Sequence, residues 1–436
     1  MADQAGCSEA SVAVPVNEGV IIGKRQPASE AYPKPLDIFY GITYATAERF
    51  RPAQSCAPVN KGRVLDAQNV GKYVPCPMAS FETEEGTLRL NIFRPSKPSS
   101  DSSSGDTKLP VGCRGAFYWP SPRAPGSSGL HRGHSRVRGA DCPVGPLPPA
   151  RAAARRRRRP VHCATSRRVS SSTWPFQPVV DGAGGVIPDI PLRQVDALCR
   201  SDWARTLSVI TGFCSHEGTQ FVPLDLATNA QFSALVPSLT GGHLDALERL
   251  YPDAVTGPSK PYENAPGCRH GAQFRRLHEA YAHYAYICPV LHTAHRLSCA
   301  GARVYLYEYA ATSEPFGAAS HGDQAPVVAH DMETLRGQRR LVAVAEEMAS
   351  RWGQFMVSPT GEITSWPRFQ SPFGDGRGGG ELLVFGKGND EAAGGKSEGV
   401  AVRKRILTDE EMAQCKFWWD RMELSQGMGV SGQYRE

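Results

Sequence analysis

No stretch of roughly 18 consecutive apolar residues occurs in this chain, so a helical membrane span is not expected. The opening residues, MADQAGCSEASVAV, lack the basic start and apolar block of a secretory signal, which points to the cytosol. CxxC pairs and Cys/His clusters at zinc spacing are missing as well, although twelve cysteines are scattered along the chain. Neither a structural metal nor a cofactor is therefore expected, and in a reducing compartment the thiols would pack as small hydrophobes. Internal repeats are absent.

The sharpest deficit is local. Between residues 112 and 173 there is no Ile, Met, Asn, Gln, Glu or Lys. Thirteen arginines stand there against a single acid, Asp141, and five of them run consecutively from Arg155 to Arg159. The segment thus carries +12 in a chain whose formal net charge is +6, and everything outside it sums to −6. The basic character belongs to one stretch, so an argument from charge to nucleic acid concerns that stretch alone. A bare polyarginine run binds phosphate without sequence preference and loses it to salt. No aromatic residues interleave it to stack on bases, so specific nucleic-acid recognition is not expected. Such a composition buries too little apolar surface to offset chain entropy, and disorder is expected across 112–173. The residues missing there have AT-rich codons and those in excess have GC-rich ones. That is the bias of a GC-rich gene read out of frame or through an intron.

The chain as a whole is 40% apolar and 21% charged, the make-up of a globular protein. Its length suits one large α/β domain or two to three smaller units. Three parts are expected: a β-rich N-terminal part over 1–111, the anomalous segment 112–173, and a C-terminal part over 174–436. GVIIGKR (19–25) and FYGITYA (39–45) read as short strands, and TLRLNIFRP (87–95) alternates so that Leu88, Leu90 and Ile92 share a face. RTLSVITGFCSHEGTQFVP (205–223) reads as a buried strand followed by a polar turn, and ARVYLYEYA (302–310) as another strand. A short helix is expected over 243–252, stopped by proline, and a longer one over 274–299. Over 335–356 the helical spacing aligns Leu341, Ala345, Met348, Trp352 and Phe355. Thr408 and Glu411 form a capping box opening a helix over 407–424, with Met412, Cys415, Trp419 and Met422 on one side. Helices alternating with strands predict the α/β class.

Two loops carry candidate chemistry. SHEG (215–218) places Glu217 in a polar turn directly after an apolar strand, and AASHGDQAP (318–326) places His321 in a loop downstream of the next strand. An acid and a histidine at strand ends are two thirds of a hydrolase triad. The bland alternative is a surface or core histidine, one of twelve in the chain. One GxSxG match exists, Gly395 to Gly399 around Ser397. It follows a polar loop instead of an apolar strand and lies after the histidine, so it reads as a chance match.

YGITYATAERFRPA (40–53), TEEGTLRLNIFRP (83–95), WPFQPVVDG (174–182), GFCSHEGTQF (212–221), YAYICPVLHTAHRLSCAGARVYLYEYA (284–310), GAASHGDQAPVV (317–328) and CKFWWDRMEL (415–424) follow one another in a familiar order. Together they resemble the type B carboxylesterase family, the cholinesterase-like branch of the α/β-hydrolase fold, and most closely its fungal members. The resemblance covers about 1–111 and 174–436. It implies serine-esterase chemistry on a small-molecule ester, with Glu217 orienting His321 and His321 acting as general base. It also implies a half-cystine at Cys76, whose partner position holds Thr87, and a further possible disulfide between Cys288 and Cys415. The family's GxSxG nucleophile and HGG-type oxyanion loop belong between Val111 and Trp174, and neither is there. An α/β-hydrolase with an incomplete central sheet and no turnover is therefore expected. A non-catalytic, cholinesterase-like binding protein is the alternative, and nonspecific nucleic-acid binding through the arginine run a weaker one.

Overall fold

Two sheets of different kind organise the chain. The computed structural model describes residues 10–16, 19–29, 34–48, 54–56, 62–72, 82–96, 188–235, 244–257, 260–374 and 378–422, with short pieces at 117–118, 130–131, 180 and 182. Most of the arginine-rich segment, including Arg155–Arg159, lies outside the described residues, as does Cys76. The chain divides into two units, residues 1–108 and 109–436.

The first unit is a six-stranded, mainly antiparallel sheet of β1 (Ala10–Val16), β2 (Gly19–Gln26), β3 (Leu36–Ala47), β4 (Gln54–Ser55), β5 (Val64–Asp66) and β6 (Gly86–Pro95). Strand β3 sits between β2 and β6, and its ladder with β6 slips between Phe39 and Ile42. Gly41 at φ +63° absorbs that irregularity. Where β2 crosses β3, a Cβ on Gly23 would lie 2.4 Å from the Ile38 carbonyl oxygen, so only glycine allows the approach. One carboxylate is fully buried. Asp37 accepts from Arg25 Nε at 2.8 Å, Ser96 Oγ at 2.7 Å and Arg94 at 3.1 Å. Burial alone would raise its pKa, but these hydrogen bonds outweigh burial and hold it below the usual carboxylate range. The expected strand at 87–95 is present, but its alternation does not produce burial: Leu90 and Ile92 are exposed.

The second unit begins, among its described residues, with a two-residue antiparallel pair, β7 (Phe117–Tyr118) and β8 (Leu130–His131). Its main sheet has four described strands in the order β12-β11-β10-β9: β9 (Ser208–Cys214), β10 (Arg303–Tyr309), β11 (Glu381–Lys387) and β12 (Val400–Ile406). The first three are parallel and β12 is antiparallel. Among the described residues, β9 pairs with β10 alone.

Helices cover both faces. α1 (Pro191–Arg200) precedes β9, and α2 (Asn229–Leu235) and α3 (Leu244–Leu250) follow it. α4 (Phe274–Ala282) and α5 (Cys288–Cys299) lead into β10, α6 (Gln324–Val328) and α7 (Arg339–Val357) into β11, and α8 (Asp409–Trp419) follows β12. A strand buried on both faces reads as a continuous apolar run. Strand β10 shows why: its period-2 alternation sends Val304 and Leu306 into the core with α4, α5 and α8. Tyr305, Tyr307 and Tyr309 enter the opposite core with α7. All five residues expected on the inner face of α7 are buried there, with Leu341, Met348 and Phe355 each contributing about 1.5–3 kcal/mol.

The sequence suggested one helix over 274–299. The structure instead breaks it with a π-helical turn at His283–Ile287. Pro289, at the start of α5, has no N–H to continue the α-helical ladder, which accounts for the widened turn before it. The capping box of α8 is complete, with Thr408 Oγ1 accepting from the Glu411 N–H at 3.2 Å. Its buried face is shifted from the expected stripe: Cys415 and Met422 are buried but Met412 and Trp419 only partly so, while Phe417 and Trp418 are inside, and Trp418 Nε1 donates to the Tyr251 hydroxyl at 2.9 Å.

Candidate active site

Glu217 and His321 meet at the carboxyl ends of β9 and β10, the end at which parallel sheets present their ligand-binding loops. The pairing of the two strands continues into those loops. Ser215 N–H donates to the Tyr309 carbonyl at 2.9 Å and His216 N–H to the Ala319 carbonyl at 3.0 Å, and His216 and Ser320 form a parallel bridge. Glycine permits both turns. A Cβ on Gly218 would lie 1.8 Å from the His278 carbonyl oxygen, and Gly322 sits at φ +89° directly after His321.

The Glu217 carboxylate is buried, and its two oxygens have separate tasks. Oε1 accepts from the Cys214 N–H at 2.6 Å, which fixes the carboxylate to the end of β9. Oε2 pairs with His321 Nδ1. An imidazole that donates Nδ1–H to a carboxylate carries its lone pair on Nε2, the tautomer a general base requires. The ring is held further by aromatic contacts, edge-on to Phe221 at 5.4 Å and tilted against Tyr286 at 4.4 Å between ring centres. Gln220 Nε2 donates to the His321 carbonyl at 3.2 Å.

A polar layer lies beneath the pair. Thr219 and Ser320 hydroxyls are 2.8 Å apart, and the Asp323 carboxylate accepts from the Ser320 N–H at 2.6 Å and from the Ser313 hydroxyl. Burial pushes the Asp323 carboxyl up to about 7, against the opposing pull of those hydrogen bonds. His216 Nδ1 accepts from the Ala319 N–H at 3.3 Å and lies 2.8 Å from Ser215 Oγ. Burial lowers His216 to about 4, so it is neutral at pH 7, and burial takes neighbouring His278 well below its ordinary value.

Sequence reasoning named Glu217 and His321 but missed Gly218, Ser320, His216 and Tyr286. All four act through contacts to distant parts of the chain, and only the glycine after Glu217 left a local signal. Ser397 is in a different setting, in the turn between β11 and β12. Its hydroxyl donates to Asp390 Oδ2 at 2.9 Å and its N–H to Oδ1 at 2.7 Å. Cys288 and Cys415 are both buried thiols, with their sulfurs 3.0 Å apart. Among the described residues, no group of three or more His, Cys, Asp or Glu residues could hold a metal ion, and no helix is long and apolar enough to cross a membrane.

The parallel sheet, its two helical layers and the acid–histidine pair at its carboxyl end define an α/β-hydrolase. A solved PNB esterase superposes with a TM-score of 0.59 at 14% identity, over 92% of this chain and 99% of the esterase, which supports the same fold. Residues 157–373 match the carboxylesterase family, so the match begins inside the arginine-rich segment. The chain is 35% identical over 136 residues to Secreted lipase 4 of Gibberella zeae, a stretch that is 30% of this chain and only 22% of the lipase. This chain belongs to the carboxylesterase family. The lipase match corrects the cytosolic location read from the N-terminus, because the relative sharing this stretch is a secreted protein. A location inferred from opening residues depends on where the chain starts, and the shared stretch does not.

Proposed function

We propose that this chain is a carboxylesterase-family protein that carries the acid and base of a serine-esterase relay but no serine for them to serve, and that it does not turn over esters. The observation that carries this reading is the contrast between His321 and Ser397. Glu217 orients His321 through Nδ1, while Ser397, in the chain's GxSxG match, gives its hydroxyl to Asp390. In the family reaction, a serine at Nε2 would pass its proton to His321 and attack the ester carbonyl. Glu217 would stabilise the resulting imidazolium, and water would release the acyl group. The segment 112–173 stands where that serine belongs, between an N-terminal part over 1–111 and the part over 174–436. Without the nucleophile, only residual acceleration remains even when the other groups are in place.

Hydrolysis of p-nitrophenyl acetate tests this directly. The expected rate equals that of a His321→Ala control. A rate many-fold above both His321→Ala and Ser397→Ala would overturn the reading. Translating the genomic nucleotides around codons 111–174 in all three frames separates a gene-reading error from a true loss: a GxSxG after an apolar strand in another frame marks the error. The secreted relative supports export of this chain as well, and in an oxidising compartment Cys288 and Cys415 would close as a disulfide. A non-reducing peptide map of exported protein should contain that link.

A further inference from the structure

A second pair of cysteines lies away from the acid–histidine site, on α1 and α5. The chain leaves α1 through a 3₁₀ turn at Asp202–Thr206 into β9, and it leaves α5 through a tight turn at Gly301 into β10. Strands β9 and β10 pair in parallel from Ser208 and Arg303, and Arg303 N–H donates to the Leu207 carbonyl at 3.0 Å. The two helices therefore bring their C-terminal ends together side by side. Their register is fixed as well. Leu192 and Asp196 of α1 and His292 and Arg296 of α5 line one cavity of about 280 Å³, and Asp196 pairs with Arg296. On each helix the next position of the same stripe, at the i, i+4, i+7 spacing, is a cysteine: Cys199 and Cys299.

We propose that Cys199 and Cys299 form a redox-active dithiol that closes as a disulfide by exchange with a small-molecule disulfide, locking α1 to α5. The two sulfurs have different access. Cys299 is exposed, with its sulfur 3.5 Å from His295 Nδ1, while Cys199 is half-buried and packs against the core. Burial raises the Cys199 thiol, and the Arg296 guanidinium opposes that rise. This sets the order of events. The Cys299 thiolate attacks the external disulfide, forming a mixed disulfide and releasing one small thiol. The Cys199 thiolate then attacks the Cys299 sulfur, forming the internal S–S bond and releasing the second small thiol. One disulfide is consumed, one is made, and the two protein protons end on the two released thiols.

The test is exposure of the full-length chain to oxidised glutathione, thiol alkylation, trypsin digestion and mass spectrometry. A linked pair of peptides, residues 194–200 and 297–303, is expected, and it disappears on reduction. Cys199→Ser is expected to stop at a glutathione adduct on Cys299, and Cys299→Ser to leave Cys199 unmodified over the same period. Separate glutathione adducts on both cysteines with no linked peptide, or a Cys199 link to any other cysteine, would overturn the proposal. The readout does not depend on ester turnover or on the Cys288–Cys415 pair.

Discussion

The two sheets are built from similarly β-prone sequence, yet they use it differently. In the second unit, β10 and β11 are buried on both faces, and Tyr305, Leu306, Leu382 and Phe385 are inaccessible to solvent. In the first, β6 has the cleaner alternation, but Leu90, Ile92 and Phe93 are exposed. Alternation records only that a strand has two faces. Whether a face is worth energy depends on what covers it, and in the second unit the covering helices are close at hand in the chain. Buried charge is met differently in the two units. In the first, Asp37 is satisfied by two arginines and a serine. In the second, buried Glu217 is held by His321 and a backbone N–H, and neutral His216 and His278 are buried beside it.

The contrast can be broken most forcefully in the second core. Phe385→Ala removes a ring buried among Tyr307, Trp352 and Trp366, and a loss of about 3–5 kcal/mol is expected. Tryptophan fluorescence during urea unfolding isolates this effect, because no tryptophan occurs in residues 1–108. Gly218→Ala comes next. Its Cβ would collide with the His278 carbonyl, so a loss of about 3 kcal/mol, the upper end for overpacking, is expected by the same measurement.

Acidification separates the units without mutation. His216 and His283 are held by burial at about 4, below their ordinary 6.5. A depressed histidine contributes stability that is complete above the unfolded value and lost as pH falls toward the folded one. Each such group should therefore cost the second unit on the order of 3 kcal/mol between pH 6.5 and 4, offset in part by Asp323, whose carboxyl, raised to about 7, takes up its proton more readily in the folded than in the unfolded state. Residues 1–108 contain no histidine, and Asp37, depressed from 3.8, should keep its contribution until pH falls below that value. Hydrogen exchange at pH 7 and pH 5 distinguishes them: protection should fall in β9 and β10 and persist in β3. The smallest effect is expected for Ile92→Thr on the exposed face of β6, no more than about 0.5 kcal/mol. A loss above about 2 kcal/mol in hydrogen-exchange stability there would show that the face is covered.

The parts of the fold legible in sequence were those in which a single element carries its own signal. The stripe from Leu341 to Phe355, the capping box at Thr408 and the apolar run of β10 each declared type and burial together. The illegible parts needed a second segment. Nothing near Leu90 announced that its face would be open, and nothing near Trp418 announced that Tyr251 would receive its N–H. At the candidate site, Glu217 and His321 stood out because each follows a strand and because the surrounding motifs resemble a family. The contacts that hold their loops join positions about a hundred residues apart, such as Thr219 with Ser320, and no periodicity encodes such a pair.

The π-helical turn at His283–Ile287 has a consequence for the phase of the helix. A wide turn of this kind accommodates one residue more than an α-helix would, so it works as a phase shifter between α4 and α5. It lets Tyr284 pack on Trp418 while Tyr286, two residues on, lies against His321. Deleting one residue there would reset the screw by about 100°. Either Tyr286 would leave the histidine, or α5 would turn its stripe of Leu291 and Ala294 out of the core.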